Sequence, residues 1–305
     1  MSKERLKAIF ITMLVLISMS FGAVMTKLSF SSISPITYIW LTLLIGMITM
    51  FIYTFIIKKE RIPHELMTRK VWFYIIQIGF FNFFIGRLVT FSLNYLPVTT
   101  TSYLINFIGF FTMAMSCVIL KEFPTIFQII GAVVAFIGLR VFFSIIPQGG
   151  ELIGMAMILV SILGIAYTNN ITRKLALETE NEISNNIIST LALIIGGSIT
   201  VVLCLILDVY PPIIPTTLDW AVIIYTGIIT TAIGLTVWNL ILRTLRSYEA
   251  SILGASTVVW TSLMAALILK ETLTVNQIIG ICMMIISICL VQVRGSSLKR
   301  IFTNK

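Results

Sequence analysis

The sequence predicts an all-α integral membrane protein: ten transmembrane helices in two inverted five-helix repeats, with both termini cytoplasmic. Three observations carry this. The 305 residues are 58% hydrophobic and 11% charged, with a mean hydropathy of +1.05, where a soluble domain is roughly a quarter charged. Nearly uncharged stretches of about 20 residues, each able to cross a ~30 Å hydrocarbon core as a helix, recur along the whole length. One phrase also occurs twice: Leu120-Lys121-Glu122, followed by Gln128 and Gly131, is echoed by Leu269-Lys270-Glu271, followed by Gln277 and Gly280, at a constant offset of 149. The repeat divides the chain into residues 1–146 and 147–305.

The spans fall at about 8–28, 35–57, 71–92, 98–119, 124–143, 152–172, 187–207, 219–242, 249–269 and 274–293. Lys3, Arg5 and Lys7 before span 1, and the Ser18-Met19-Ser20 triplet within it, resemble a cleavable signal. Its apolar run is too long for one, and Leu16, Lys27 and Leu28 have counterparts in Leu163, Lys174 and Leu175 at offset 147, so it reads as a retained helix. Ile33, Ser34 and Gly46 around span 2 match Ile183, Ser184 and Gly196 around span 7 at offset 150. Trp72, Gly79 and Gly86 in span 3 match Trp220, Gly227 and Gly234 in span 8 at offset 148. Offsets drifting by one or two residues are what small loop insertions produce. All eight prolines lie at or between span ends, where a missing amide does least harm. No stretch remains for a soluble domain.

Basic residues set the orientation. Of the 21 Lys and Arg, all but Lys27, Arg87, Arg140 and Lys270 lie at one set of span ends. By the positive-inside rule that side is cytoplasmic. Five spans per repeat is an odd number, so the second copy enters the membrane upside down. The net charge of +9 is thus a topology signal rather than a nucleic-acid footprint. Inverted repeats commonly enclose a site near the bilayer midplane and open it alternately to either face.

Two five-helix halves, each with Leu-x-Glu closing its fourth helix and a later Gln and Gly three residues apart, resemble the EamA type of the drug/metabolite transporter superfamily. The resemblance covers essentially the whole chain. It implies a ten-helix carrier of small metabolites with a central cavity lined by helices 1, 3, 4, 6, 8 and 9. Relatives export amino acids and other metabolites, and related branches move sugar phosphates or nucleotide sugars. Relatives often carry a proline within helices 4 and 9; this chain has none there, so a kink at that level has no proline to cause it.

Glu122 and Glu271 precede the helices that start near Thr125 and Thr274, and each is expected to cap the amides of that next helix, while Lys121 and Lys270 snorkel. The seven-residue spacing of Gly79 and Gly86, and of Gly227 and Gly234, places each pair on one helix face for close packing. All twelve Asp and Glu residues lie at predicted ends or loops, and the single His64 lies in a cytoplasmic loop. The proton-binding acid that proton-driven carriers place at membrane depth is absent. Arg87 is the one basic residue inside a span. It either snorkels to the outer interface or anchors a substrate carboxylate or phosphate.

Polar and aromatic residues near the helix midpoints, or just above and below that level, complete the expected substrate site. They are Ser18, Asn82, Tyr103, Asn106, Tyr167, Asn170, Thr230, Trp238, Asn239, Thr257 and Trp260, together with Arg87. Such a lining suits an amino-acid-like or amphiphilic solute. Cys117, Cys204, Cys282 and Cys289 show no CxxC spacing and read as small buried hydrophobes, not metal ligands. No GxxxxGK[ST] loop exists for ATP, and no cofactor, metal or nucleic-acid partner is called for. The partners expected are a small-molecule substrate and the lipid bilayer, in the plasma membrane. An enzyme would need a catalytic cluster that is missing. A lipid or carrier-lipid phosphate flippase is the nearer alternative.

Overall fold

The computed structural model describes residues 3–143, 149–208, 215–244, 254 and 256–292. Ten apolar helices run through them: α1 (Lys3–Ser29), α2 (Pro35–Ile57), α3 (Arg69–Ser92), α4 (Val98–Ile119) and α5 (Ile126–Phe142) in the first half. The second half holds α6 (Gly150–Glu178), α7 (Asn185–Leu207), α8 (Thr217–Ile241), α9 (Thr257–Ile268) and α10 (Val275–Gln292). Seven are long and apolar enough to cross a membrane, and α5, α9 and α10 are shorter apolar helices. No β-strand occurs among the described residues. The helix ends fall close to those predicted, except that α6 continues past Arg173 and Lys174 to Glu178, carrying the buried Leu175 and Ala176. The predicted start of span 9 and the basic residues Arg246, Arg294, Lys299, Arg300 and Lys305 lie outside the described residues, as do Pro147, Pro211, Pro212 and Glu249.

Local sequence explains where several helices begin. Ser34 accepts a hydrogen bond from the Thr37 amide (3.1 Å), with Pro35 in the first turn of α2. Thr68 does the same for Val71 at the start of α3 (3.3 Å). Thr216 and Asp219 cap α8 reciprocally, at 2.9 and 3.2 Å. Asp219 also accepts from the Ser32 hydroxyl (2.7 Å), which ties the α1–α2 turn to the start of α8.

The packing repeats under exchange of the halves. Helix α3 lies on α7 and α8 on α2; α4 lies on α6 and α9 on α1; α3 lies on α6 and α8 on α1. The pairs α5–α10, α2–α7 and α4–α9 map onto themselves. With five crossings per half, this relation is an axis in the membrane plane. One large apolar core gathers Ile39, Leu43, Ile75, Ile78, Ile188 and Leu193 from α2, α3 and α7. A second surrounds Tyr103, Phe107, Ala135 and Met284 of α4, α5 and α10.

Small residues set how closely the halves approach. A Cβ on Gly196 would sit 1.9 Å from the Gly79 carbonyl oxygen, so α3 and α7 touch backbone to backbone. The symmetry mate is Gly46 against Gly227, where a Cβ on Gly46 would meet the Gly227 carbonyl at 3.2 Å. In the α5–α10 pair, a Cβ on Gly280 would meet the Gly138 carbonyl at 3.1 Å, and the Ser287 hydroxyl donates to the Gly131 carbonyl at 2.7 Å. Association between helices in lipid rests on such close van der Waals and polar contact. The paired glycine spacing thus divides its work: Gly79 and Gly227 pack, whereas Gly86 and Gly234 line the central cavity.

The doubled phrase forms the same structure twice. Lys121 and Lys270 adopt left-handed conformations, with φ of 55° and 56°. The Glu122 amide then reaches back to the Ser116 carbonyl (3.2 Å), as the Glu271 amide reaches Ala265 (3.3 Å). The following helices are served by the glutamines, Gln128 accepting from the Thr125 amide (2.7 Å) and Gln277 from that of Thr274 (2.9 Å). The Glu271 carboxylate caps a different helix from the one expected. It accepts from the amides of Val98 (2.9 Å) and Thr99 (3.2 Å) and from the Thr99 hydroxyl (2.8 Å), closing the start of α4 in the other half. The chain reversal at Lys270 brings the carboxylate against α4, and Thr274 with Gln277 already occupies the cap of α10. Lys27 of α1 donates to the carbonyls of Leu93 and Leu96 in the same connection. At the opposite face Glu122 lies 3.7 Å from Arg173 of α6.

The glycine contacts give the first prediction. Gly196→Ala lowers unfolding stability by about 3 kcal/mol, because backbone must move to admit the methyl group. Gly234→Ala, whose Cβ would meet nothing closer than 3.5 Å, stays within about 1 kcal/mol of the parent. Thermal unfolding of the two purified variants checks this, and equal melting temperatures would contradict it.

Candidate functional site

Three helices lose their regular α-form near the centre of the molecule. In α3 the α-turns end at Phe83, and Ile85–Arg87 tighten into a 3-10 turn. Its freed carbonyls are taken by neighbours. The Ser161 hydroxyl of α6 lies 3.2 Å from the Ile85 oxygen and 3.1 Å from that of Gly86, and Thr200 of α7 donates to Phe83 at 2.6 Å. Irregular backbone at membrane depth survives where protein groups satisfy it in this way.

Helix α4 is interrupted between Ile105 and Ile108. The Asn106 amide bonds Tyr103 (3.3 Å) and the Phe107 amide bonds Leu104 (3.0 Å). The Asn106 side chain takes the Ser102 carbonyl (2.9 Å), which a continuing α-turn would give to the Asn106 backbone amide. A side chain inserted into the backbone ladder is a known cause of kinking, so α4 breaks without a proline. In α8 the turns widen to π-type across Thr226–Ile233.

A cavity of about 400 Å³ lies among these breaks. Its walls come from α1 (Leu16, Met19, Ser20, Ala23, Thr26), α3 (Asn82, Phe83, Arg87, Thr90) and α4 (Thr101, Ser102, Ile105, Asn106, Ile108). They continue through α6 (Ile165), α8 (Thr226, Thr230, Thr231, Leu235, Trp238) and α9 (Thr257, Thr261). The six helices expected from the family resemblance all contribute. Helix α2 adds Tyr38 and Thr42, whereas the described residues of α5, α7 and α10 add nothing. Among the described residues, Arg87 is the only charged side chain in the lining, and no carboxylate lines it.

Arg87 sits at the end of the 3-10 turn in α3 and lines the cavity. Its guanidinium carbon lies 5.9 Å from the Phe83 ring centroid, and its Nε is buried without a hydrogen-bond partner among the described residues. The buried hydroxyls of Thr101 and Thr230 also lack partners. Other cavity hydroxyls are closed on one another. Tyr38 bridges Thr26 (2.6 Å) and Thr226 (2.8 Å), and these two threonines donate to the Gly22 and Val222 carbonyls of their own helices.

The cavity brings together Arg87, Asn82, Asn106, Thr230, Thr257 and Trp238 of the expected residues. Asn82 accepts from Thr168 (3.2 Å), the Thr257 hydroxyl lies 3.4 Å from Asn106 Oδ1, and Trp238 donates to Asn169 (3.0 Å). The others lie outside its lining. Tyr103 is fully buried and stacks on Phe142 with centroids 4.0 Å apart. Tyr167 accepts from Gln77 (2.9 Å), Asn170 donates to the Thr112 carbonyl (3.1 Å), and Asn239 donates to Ser189 (2.7 Å). Ser18 shares a hydrogen bond with Tyr225 (2.5 Å), and Trp260 is half-buried on α9. Apart from Trp260, these residues tie helices to one another.

The sequence reading missed Thr26, Tyr38, Thr42, Thr101 and Thr226 as cavity residues. The unbroken Thr99-Thr100-Thr101-Ser102 run was the available signal for α4; nothing in the sequence singled out Tyr38. One expectation for the cysteines is corrected: Cys204 is buried and Cys117 half-buried, but Cys282 and Cys289 are exposed on the outward side of α10. All four are free thiols.

Comparison with known proteins agrees with this architecture. A family model described as the EamA-like transporter family matches residues 6–144 and again residues 152–293. Among 28 matching chains of solved structures, one crystal structure of a protein superimposes with a TM-score of 0.73. That match covers 94% of this chain and 97% of the other at 15% identity, a likeness of fold alone. No curated protein matches.

The stitching of α3 is testable. Ser161→Ala removes the donor that serves two freed carbonyls and lowers stability by about 1–2 kcal/mol. Ser161→Thr keeps the hydroxyl and recovers most of that loss. Thermal unfolding of both variants checks this, and an unchanged melting temperature for Ser161→Ala would contradict it.

Proposed function

The chain belongs to the EamA-like transporter family of the drug/metabolite transporter superfamily, and on that premise we propose a secondary transporter that exports a small organic metabolite across the plasma membrane. The solute is amino-acid-like or amphiphilic. The two inverted halves carry it by exposing one central site to each face in turn, without ATP. The observation that carries this reading is the cavity between the halves, with a single guanidinium and no acid among the described residues of its walls. A volume of about 400 Å³ suits a drug-sized or smaller solute.

The roles follow from the chemistry. Arg87 receives the anionic group of the solute through charge-assisted hydrogen bonds. Asn82, Asn106, Thr230, Thr257 and Trp238 border it with amides, hydroxyls and an indole. Positive-inside asymmetry orients both termini to the cytoplasm. No carboxylate among the described residues lines the cavity to hold a coupling proton, so facilitated diffusion or exchange is the simpler energetic scheme. The irregular segments of α3, α4 and α8 lie where the halves must flex, and the ends of α4 and α9 are fastened by Glu271, Lys27, Glu122 and Arg173.

Uptake of radiolabelled amino acids and of fluorescent lipid into proteoliposomes tests the reading. The expected outcome is carriage of a soluble solute, with uptake at least about tenfold lower in Arg87→Gln and partly restored in Arg87→Lys. Unchanged uptake in Arg87→Gln would remove the anchor role. Lipid movement without solute uptake would establish a flippase instead.

A further inference from the structure

We propose that the cavity selects amphiphilic monoanions, solutes with one carboxylate-type group, an apolar body and no ammonium, and that Arg87, Thr101 and Thr230 hold the anionic end. This rests on reading the cavity as the transport site. Arg87 Nε and the hydroxyls of Thr101 and Thr230 are buried cavity groups without a partner among the described residues. They come from α3, α4 and α8, so both halves contribute. Neighbouring Thr26, Tyr38 and Thr226 satisfy one another and have less to offer a ligand. A guanidinium and two hydroxyls can all donate to one carboxylate.

Charge balance fixes the sign of the occupant. Among the described residues the lining holds one cation and no acid. A solute of charge −1 neutralises it. A zwitterion leaves the guanidinium uncompensated overall and brings an ammonium into a wall with no carboxylate to receive it. A cation adds to the existing charge, and a dianion leaves a surplus of the opposite sign. Uncompensated charge in a low-dielectric site is costly in each of the last three cases. Much of the remaining wall surface is apolar, with Leu16, Met19, Ile105, Ile108, Ile165 and Leu235 available to an apolar body between hydroxyl and amide side chains.

Matched probes on one skeleton test this with the purified full-length protein at pH 7: 3-phenylpropionate, phenylalanine and 2-phenylethylamine, read by binding titration and melting temperature. The expected result is 3-phenylpropionate binding at least about tenfold tighter than phenylalanine, with no stabilisation by 2-phenylethylamine. Hexanoate and norleucine should repeat the preference. Arg87→Gln, confirmed as monodisperse, should lose 3-phenylpropionate binding. Asn82→Asp places an acid in the same wall and should shift preference toward phenylalanine, a readout independent of how Arg87 variants fold. Phenylalanine binding as tightly as 3-phenylpropionate to the parent protein, or an unchanged order in Asn82→Asp, would overturn the proposal. If proteoliposomes carry phenylalanine without favouring the anion, transport stands and anion selectivity falls. If neither solute enters above protein-free vesicles, both readings fall.

Discussion

The contact on which the architecture depends is the backbone approach of Gly79 to Gly196, with its symmetry mate Gly46 to Gly227. In lipid the halves gain nothing from excluding water between apolar side chains, so close packing must hold them. These glycines let α3 and α8 lie directly on the opposite half. Seven residues further along each helix, Gly86 and Gly234 line the cavity, where a Cβ would meet nothing closer than 3.3 and 3.5 Å. That change from seam to cavity coincides with the 3-10 turn of α3 and the end of the π-type turns of α8. The site is therefore positioned by where the tight packing stops.

Much of this was legible in the sequence because it depends on properties that act locally. Hydropathy located the spans, prolines and capping residues located their ends, and the doubled phrase with its odd span count gave the inverted relation. The unread parts depend on tertiary partners. Asn106 breaks α4 through its own side chain, an effect no proline count reveals. Glu271 caps α4, a helix more than 170 residues earlier in the chain, and sequence adjacency pointed instead to α10. Tyr38 enters the cavity from α2, four residues inside a helix whose middle packs on the opposite half. Counting polar residues at helix midpoints placed Arg87, Asn82, Asn106, Thr230, Thr257 and Trp238 together in the lining. It also gathered Asn170, Asn239 and Tyr167, whose hydrogen bonds connect helices. Composition cannot separate these two kinds of buried polar residue, because a ligand contact and a helix contact use the same chemistry.

Charge is distributed with an economy that suits a moving carrier. Acids and bases concentrate at helix ends, where Glu271 and Lys27 hold the α3–α4 connection at one face and Glu122 approaches Arg173 at the other. The backbone turn of the doubled phrase repeats, while its two carboxylates fasten different partners, the start of α4 for Glu271 and Arg173 for Glu122. Between them lies a wall with one guanidinium. An ionisable side chain at membrane depth is by default a functional candidate, and among the described residues Arg87 Nε and the Thr101 and Thr230 hydroxyls of the same cavity are buried without hydrogen-bond partners.

The central claim is that solute binds between the halves, beside Arg87. Replacing the four native cysteines and introducing Thr230→Cys puts one thiol in the cavity wall, where a small water-soluble maleimide can report on occupancy. The account predicts that the transported solute slows labelling of this thiol, and that the protection disappears when Arg87 is also changed to Gln. Labelling that proceeds at the same rate with and without solute, in a variant that still transports it, would contradict the account.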